Sequence, residues 1–118
     1  MASGNYQPCT NYDLSATITS GQTVSAAVDL EGTGLAGLIL PSTFDGTAIS
    51  FKMSATLTGT YVDVQDGAGS TFTLTGAASK YVPISNLAYL AGVRFIKLVS
   101  GTAQATTDTI ITLVTRPL

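Results

Sequence analysis

Apolar and polar residues alternate with a period of two along most of this chain, with β-branched residues in the runs and Gly, Asp or Asn at the breaks. The pattern predicts strands. In residues 23–30, Val24, Ala26, Val28 and Leu30 alternate with Thr23, Ser25, Ala27 and Asp29, which sends one side of that strand into a core. Ile49, Phe51, Met53 and Ala55 alternate in the same way with Ser50, Lys52 and Ser54. Residues 35–40 are almost continuously apolar and end at Pro41, the pattern of a strand covered on both sides. Further strands are predicted at 14–19, 80–84, 93–100 and 109–116. Residues 61–65 and 71–75 flank Asp66-Gly67-Ala68-Gly69, whose glycines supply the positive φ of a tight connection, so a hairpin is expected there. Residues 86–92 fit one helical turn closed by Gly92.

About eight strands at this spacing predict an all-β fold, an antiparallel β-sandwich. Its predicted core consists of Val24, Val28, Ile49, Phe51, Met53, Phe72, Leu74, Ile96, Leu98, Ile111 and Leu113. Residues 1–13 stand apart, because Gly4, Asn5, Pro8 and Asn11 break any period while Tyr6 and Tyr12 offer aromatic contact area. They read as an N-terminal arm and residues 14–118 as the sandwich domain. At 118 residues the chain is large enough for one core, since a domain of this size buries about two-thirds of the surface its unfolded chain exposes.

Composition changes the picture by what it withholds. Only 10% of the residues are charged, the commonest residue is Thr, and there is no His, no Trp and a single Cys. Soluble domains carry about a quarter charged residues. A net charge of -2 with five scattered basic residues makes nucleic acid an improbable partner. No apolar run approaches the roughly 20 residues of a membrane-spanning helix, and residues 1–12 carry no secretory signal pattern. The chain is therefore expected to stay where it is made, with no membrane role.

Candidate chemistry is thin. Gly32-Thr33-Gly34-Leu35-Ala36-Gly37 matches the spacing of a dinucleotide cradle, but a strand rather than a helix follows it, and no Asp or Glu stands about 20 residues on. These glycines read as a turn and as a strand position that another backbone approaches closely. Asp63 and Asp66 are the carboxylates nearest to a hydrolytic or calcium pair, yet Asp66 precedes Gly67 as turn chemistry requires, and the calcium-loop pattern is missing. Asp45 and Asp108 read as turn residues too. Serine and threonine hydroxyls have no His to act as base, which leaves only Lys52, Lys80 or Lys97 as conceivable partners, and Cys9 has no His partner either. The sequence assigns no catalytic residue, no metal ligand and no cofactor, and it points away from an enzyme.

Three segments together resemble the small jelly-roll virion proteins of tailed bacteriophages, a group of capsid decoration (cement) proteins and head or tail appendages. They are Leu38-Ile39-Leu40-Pro41 with Ala48-Ile49-Ser50-Phe51-Lys52-Met53-Ser54, then Tyr61-Val62-Asp63-Val64 with Asp66-Gly67, then residues 92–102 running on to Ile110-Ile111-Thr112-Leu113-Val114. Where relatives often place Asp-Gly after the position of Ser54, this chain has Ala55-Thr56-Leu57-Thr58-Gly59, a remodelled loop. Arg94-Phe95-Ile96-Lys97-Leu98 also resembles a strand of galactose-binding-like jelly rolls. The resemblance implies a jelly-roll topology and a capsid decoration protein, made in the host cytoplasm and carried on the virion, that meets copies of itself as a trimer and the major capsid protein. Asn5, Tyr6, Tyr12 and Tyr89 are the expected interface residues. The alternative it implies is a receptor- or glycan-binding appendage, for which Tyr61, Tyr81 and Tyr89 would be the stacking rings. Self-association has a physical reason as well: the predicted edge strands carry few of the charges and prolines with which monomers guard their edges.

Overall fold

The computed structural model describes residues 14–105 and 107–117. They form the strands β1 (Ser15–Ile18), β2 (Val28–Asp29), β3 (Thr33–Ile39), β4 (Ala48–Ser54), β5 (Val62–Asp63), β6 (Thr73–Thr75), β7 (Tyr81–Pro83), β8 (Phe95–Ser100) and β9 (Thr109–Pro117), with one 3-10 turn at Leu87–Leu90. Two antiparallel sheets result, and the all-β sandwich expected from the alternation is the fold observed. Sheet A has the order β1-β9-β3-β7, and sheet B the order β2-β8-β4-β5 with β6 also on β4.

The predicted hairpin is present in a modified form. β5 lies opposite Lys52 and Met53 and β6 opposite Ala48 to Ser50, so the two form one interrupted partner along the side of β4 that β8 leaves free. Between them the chain leaves the sheet, pairs Gln65 with Thr71, and turns at Asp66. The Asp66 carboxylate accepts the amides of Ala68 (2.8 Å) and Ser70 (3.1 Å), and Gly69 takes φ +87°, as an Asx-stabilised tight turn needs. With β5 and β6 taken as one strand, the pairing is nested: β1 with β9, β2 with β8, β3 with β7, β4 with β5 and β6.

The core lies between the sheets. Ala16, Ile18, Leu35, Leu38, Ile111 and Leu113 face it from sheet A, and Val28, Ile49, Phe51, Leu74, Ile96 and Leu98 from sheet B. Phe72 stacks on Phe51 at 5.9 Å between ring centroids and receives the edge of Tyr89 at 5.0 Å, which closes one end. All the predicted core residues are buried except two. Met53 is only partly buried at the end of β4, where Ser54 turns inward instead. Val24 is 36% exposed.

The Val24 correction has a local cause. Ser25 occupies the inward position, donating its amide to Leu98 O (2.8 Å) and accepting the Leu98 amide on its hydroxyl (2.9 Å). Ala26 then donates to Thr17 O across in sheet A (3.1 Å). The chain is crossing from one sheet to the other here, so period-two alternation breaks and only Val28 and Asp29 remain as strand. The crossing ends in a tight turn, with Glu31 at φ 54°, Gly32 at φ +79° and a bond from Thr33 N to Leu30 O of 3.0 Å. Two successive positive φ values define a type I′ turn.

Two further expectations are corrected. β3 is covered on its inner side only: Leu38 and Leu40 are buried, while Ile39 between them is 45% exposed. Gly92 does not close the helical turn with a left-handed residue; Ala91 in right-handed conformation ends it, and Asn86 caps its start by accepting the Ala88 amide at 3.1 Å.

Candidate functional site

The sequence-derived interface residues Asn5, Tyr6 and Tyr12, like Cys9, lie outside the described residues. Tyr89 is placed on the 3-10 turn with one side of its ring against Phe72. The glycine motif holds no cradle. Gly32 sits in the type I′ turn, Gly34 and Gly37 are in β3, and no helix follows. Nor does a backbone approach Gly37 from outside: a Cβ there would collide with the ring of Tyr81, which lies over the glycine from the neighbouring strand. An aromatic ring covering a strand glycine restores the cross-strand packing that the missing side chain would have given.

The remaining candidate chemistry is occupied by structure. Asp63 pairs with Lys52 at 2.8 Å, and Asp66 serves its turn. Lys97 sits over the ring of Tyr61 at 4.5 Å. Among the described residues no group of three potential metal ligands occurs, and no helix is long and apolar enough to cross a membrane. The three rings that a glycan would stack on are dispersed: Tyr61 lies under Lys97 beside sheet B, Tyr89 packs edgewise on Phe72, and Tyr81 lies over Gly37 on sheet A.

What the tertiary structure brings together is a contrast between the two outer faces. On sheet B, Lys52 and Lys97 stand directly opposite each other, and like charges in that position repel. Lys52 is paired with Asp63, and Lys97 is held over the π-face of Tyr61. Arg94 makes a two-pronged bond to Asp29 at 2.9 and 3.1 Å and lies 4.9 Å from the Phe95 ring centre. That bond, together with the Glu31 amide, holds the Asp29 carboxyl below its ordinary range. This face is charged, and each of its charges named above has a partner group within the molecule.

The outer face of sheet A carries no charged side chain along β1, β3, β7 or β9 until Arg116. Its exposed or half-buried positions are Ser15 and Thr17 on β1, Ile110, Thr112 and Val114 on β9, Ile39 on β3, and Tyr81 and Pro83 on β7. Ile39 stands directly opposite both Thr112 and Tyr81, and Ile39, Tyr81 and Ile110 are 45%, 53% and 55% exposed. Near Arg116 the face dips into a cavity of about 190 Å³ walled by Gly34, Leu35, Ala36, Leu87, Leu90 and Ala91. Small-molecule sites begin at about 300 Å³, so this recess suits at most one side chain. Alternation alone does not reveal this face, although a signal is present: Leu38-Ile39-Leu40 and Ile110-Ile111 put apolar residues on both parities of a strand.

The edges of both sheets are short rather than charged. β1 has four residues, β7 three ending at Pro83, β2 two, and β5 and β6 two and three. Short edges are themselves a guard against edge pairing. The physical reason for self-association therefore moves from the edges to the face. The described residues thus define a small antiparallel β-sandwich with one charged outer face and one that is uncharged except for Arg116 at its end. No family model, curated protein or solved structure matches the chain.

Proposed function

We propose that the chain is a non-enzymatic structural protein of a tailed-bacteriophage virion that decorates or cements the capsid as a homo-oligomer. The reading is supported chiefly by the outer face of sheet A, uncharged except for Arg116 at its end, set against a sheet B whose Lys52, Arg94 and Lys97 are engaged by Asp63, Asp29 and the Tyr61 ring. A protein that works by surface contact needs such a face. Large exposed apolar patches on soluble domains mark interaction sites, and side chains without charge are desolvated at far lower cost than ionised ones. The nested strand order is the one a jelly roll has, which supports the topology implied by the family resemblance. In this reading the major capsid protein is the second partner, and the protein is made in the host cytoplasm before joining the capsid surface. The dispersal of Tyr61, Tyr81 and Tyr89 weighs against the glycan-binding alternative. Cryo-electron microscopy of the source particle tests the proposal, with density for this sandwich expected at many symmetry-related positions on the capsid shell. Density confined to the tail would overturn it.

A further inference from the structure

We infer that the outer face of sheet A is the surface through which copies of this chain meet, an inference that rests on the homo-oligomer reading above and names its interface. Four of the seven large apolar side chains left exposed among the described residues lie on this face or at the rim of its recess: Ile39, Tyr81, Ile110 and Leu87. Charge selects the occupant. A face whose one charge, Arg116, stands at its end cannot compensate a carboxylate or ammonium brought against its centre, and burying such a group unpaired is strongly unfavourable. The partner surface must be equally uncharged. The only extended face among the described residues with no charge along its centre is this one, and a like-on-like contact is the isologous interface of a two-fold pair of copies.

Geometry agrees with that occupant. Ile39 lies in the middle of the face, with the Tyr81 ring on one flank and Thr112 and Ile110 on the other, and the row Tyr81, Ile39, Thr112, Ser15 grades from large to small across the four strands. Such a surface interdigitates with a second copy in the way that stacked sheets do. The charged residues that border the face are peripheral: Lys80 just before β7, Asp108 just before β9, and Arg116 beside the recess. Asp108 is engaged as well, accepting the Ser20 amide at 2.9 Å. This is the apolar centre and polar rim of an interface.

Area sets the strength. Four strands about 4.8 Å apart and about six residues long give a face of roughly 400 Å², about half of the roughly 800 Å² per partner in a standard stable interface. Association through this face alone should therefore depend on concentration.

Sedimentation velocity from about 5 µM to about 500 µM tests it. The unaltered protein should associate over that range, whereas Ile39→Lys with Ile110→Lys should weaken association at least ~10-fold. Val62→Lys, an equally exposed apolar position in β5 of sheet B, should leave association unchanged. Hydrogen exchange on the unaltered protein keeps the test independent of how the variants fold: amides of β3 and β9 should gain protection as concentration rises, and those of β5 should not. Association that survives the double variant would overturn the interface and leave the homo-oligomer reading standing. A monomer at every concentration would overturn both, while the position on the particle is decided separately by microscopy.

Discussion

Gln104 shows how much one side chain can hold. It is fully buried in the loop between β8 and β9, and all its polar capacity is used. Its two amide hydrogens are shared among Asp45 O, Ser100 Oγ and Thr102 O, and its carbonyl accepts from Asp45 N and Thr109 Oγ1, all between 2.8 and 3.1 Å. Its backbone joins Gly21 and Gln22, so the residue ties three loops together. Gln104→Ala should destabilise the fold by about 2 to 4 kcal/mol, because several buried partners lose their bonds at once, and denaturant unfolding checks this. Thr115 is the opposite case. Its hydroxyl is buried and has no partner among the described residues. Thr115→Val removes that polar atom while keeping the shape, and it should raise stability by about 1 kcal/mol in the same assay. A loss of stability would mean that the hydroxyl has a partner.

Elements here are held at their ends as much as along their ladders. β2 has only two residues, yet Asp29 binds Arg94 from the start of β8 and the Glu31 amide of the following turn. That pairing, with the Glu31 amide, holds the Asp29 carboxyl below the ordinary aspartate range. A carboxyl with a depressed folded-state pKa stabilises the fold at pH values above its unfolded pKa, and the contribution fades as pH falls through the folded value. The stability difference between the unaltered protein and Asp29→Asn should therefore be constant near neutrality and shrink below about pH 4. Melting temperatures of both proteins from neutral to strongly acid pH check it, and a gap that persists unchanged in strong acid would refute the assignment. The pair is exposed to solvent, so the neutral-pH difference is expected to be small.

At the scale of the molecule, the two sheets share one core, and Phe51 is fully buried at its centre, stacked on Phe72. Phe51→Ala should cost about 3 to 5 kcal/mol and lower the single unfolding transition as a whole, through lost burial and a residual cavity. An unchanged melting curve would contradict the register of β4. The outer faces divide the remaining labour, with ion pairs and cation–π contacts on sheet B and Ile39, Tyr81 and Ile110 open on sheet A.

Strand positions, the sandwich class, the Asp66 turn and nearly all of the core were readable from the chain, because period-two alternation and turn chemistry are local properties. Phe51, Ile96 and Ile111 need no partner to announce their side. Other features depend on what arrives from far along the chain. Val24 lost its inward place to Ser25 because Leu98 and Thr17, in different sheets, claim neighbouring residues. Gln104 looks like one more polar loop residue until Asp45 and Thr109 close around it. The uncharged face exists only once strand order sets Ile39 between Thr112 and Tyr81, residues distant in sequence. Local alternation says which side of a strand is buried; only the pairing of strands decides which exposed side chains share a surface.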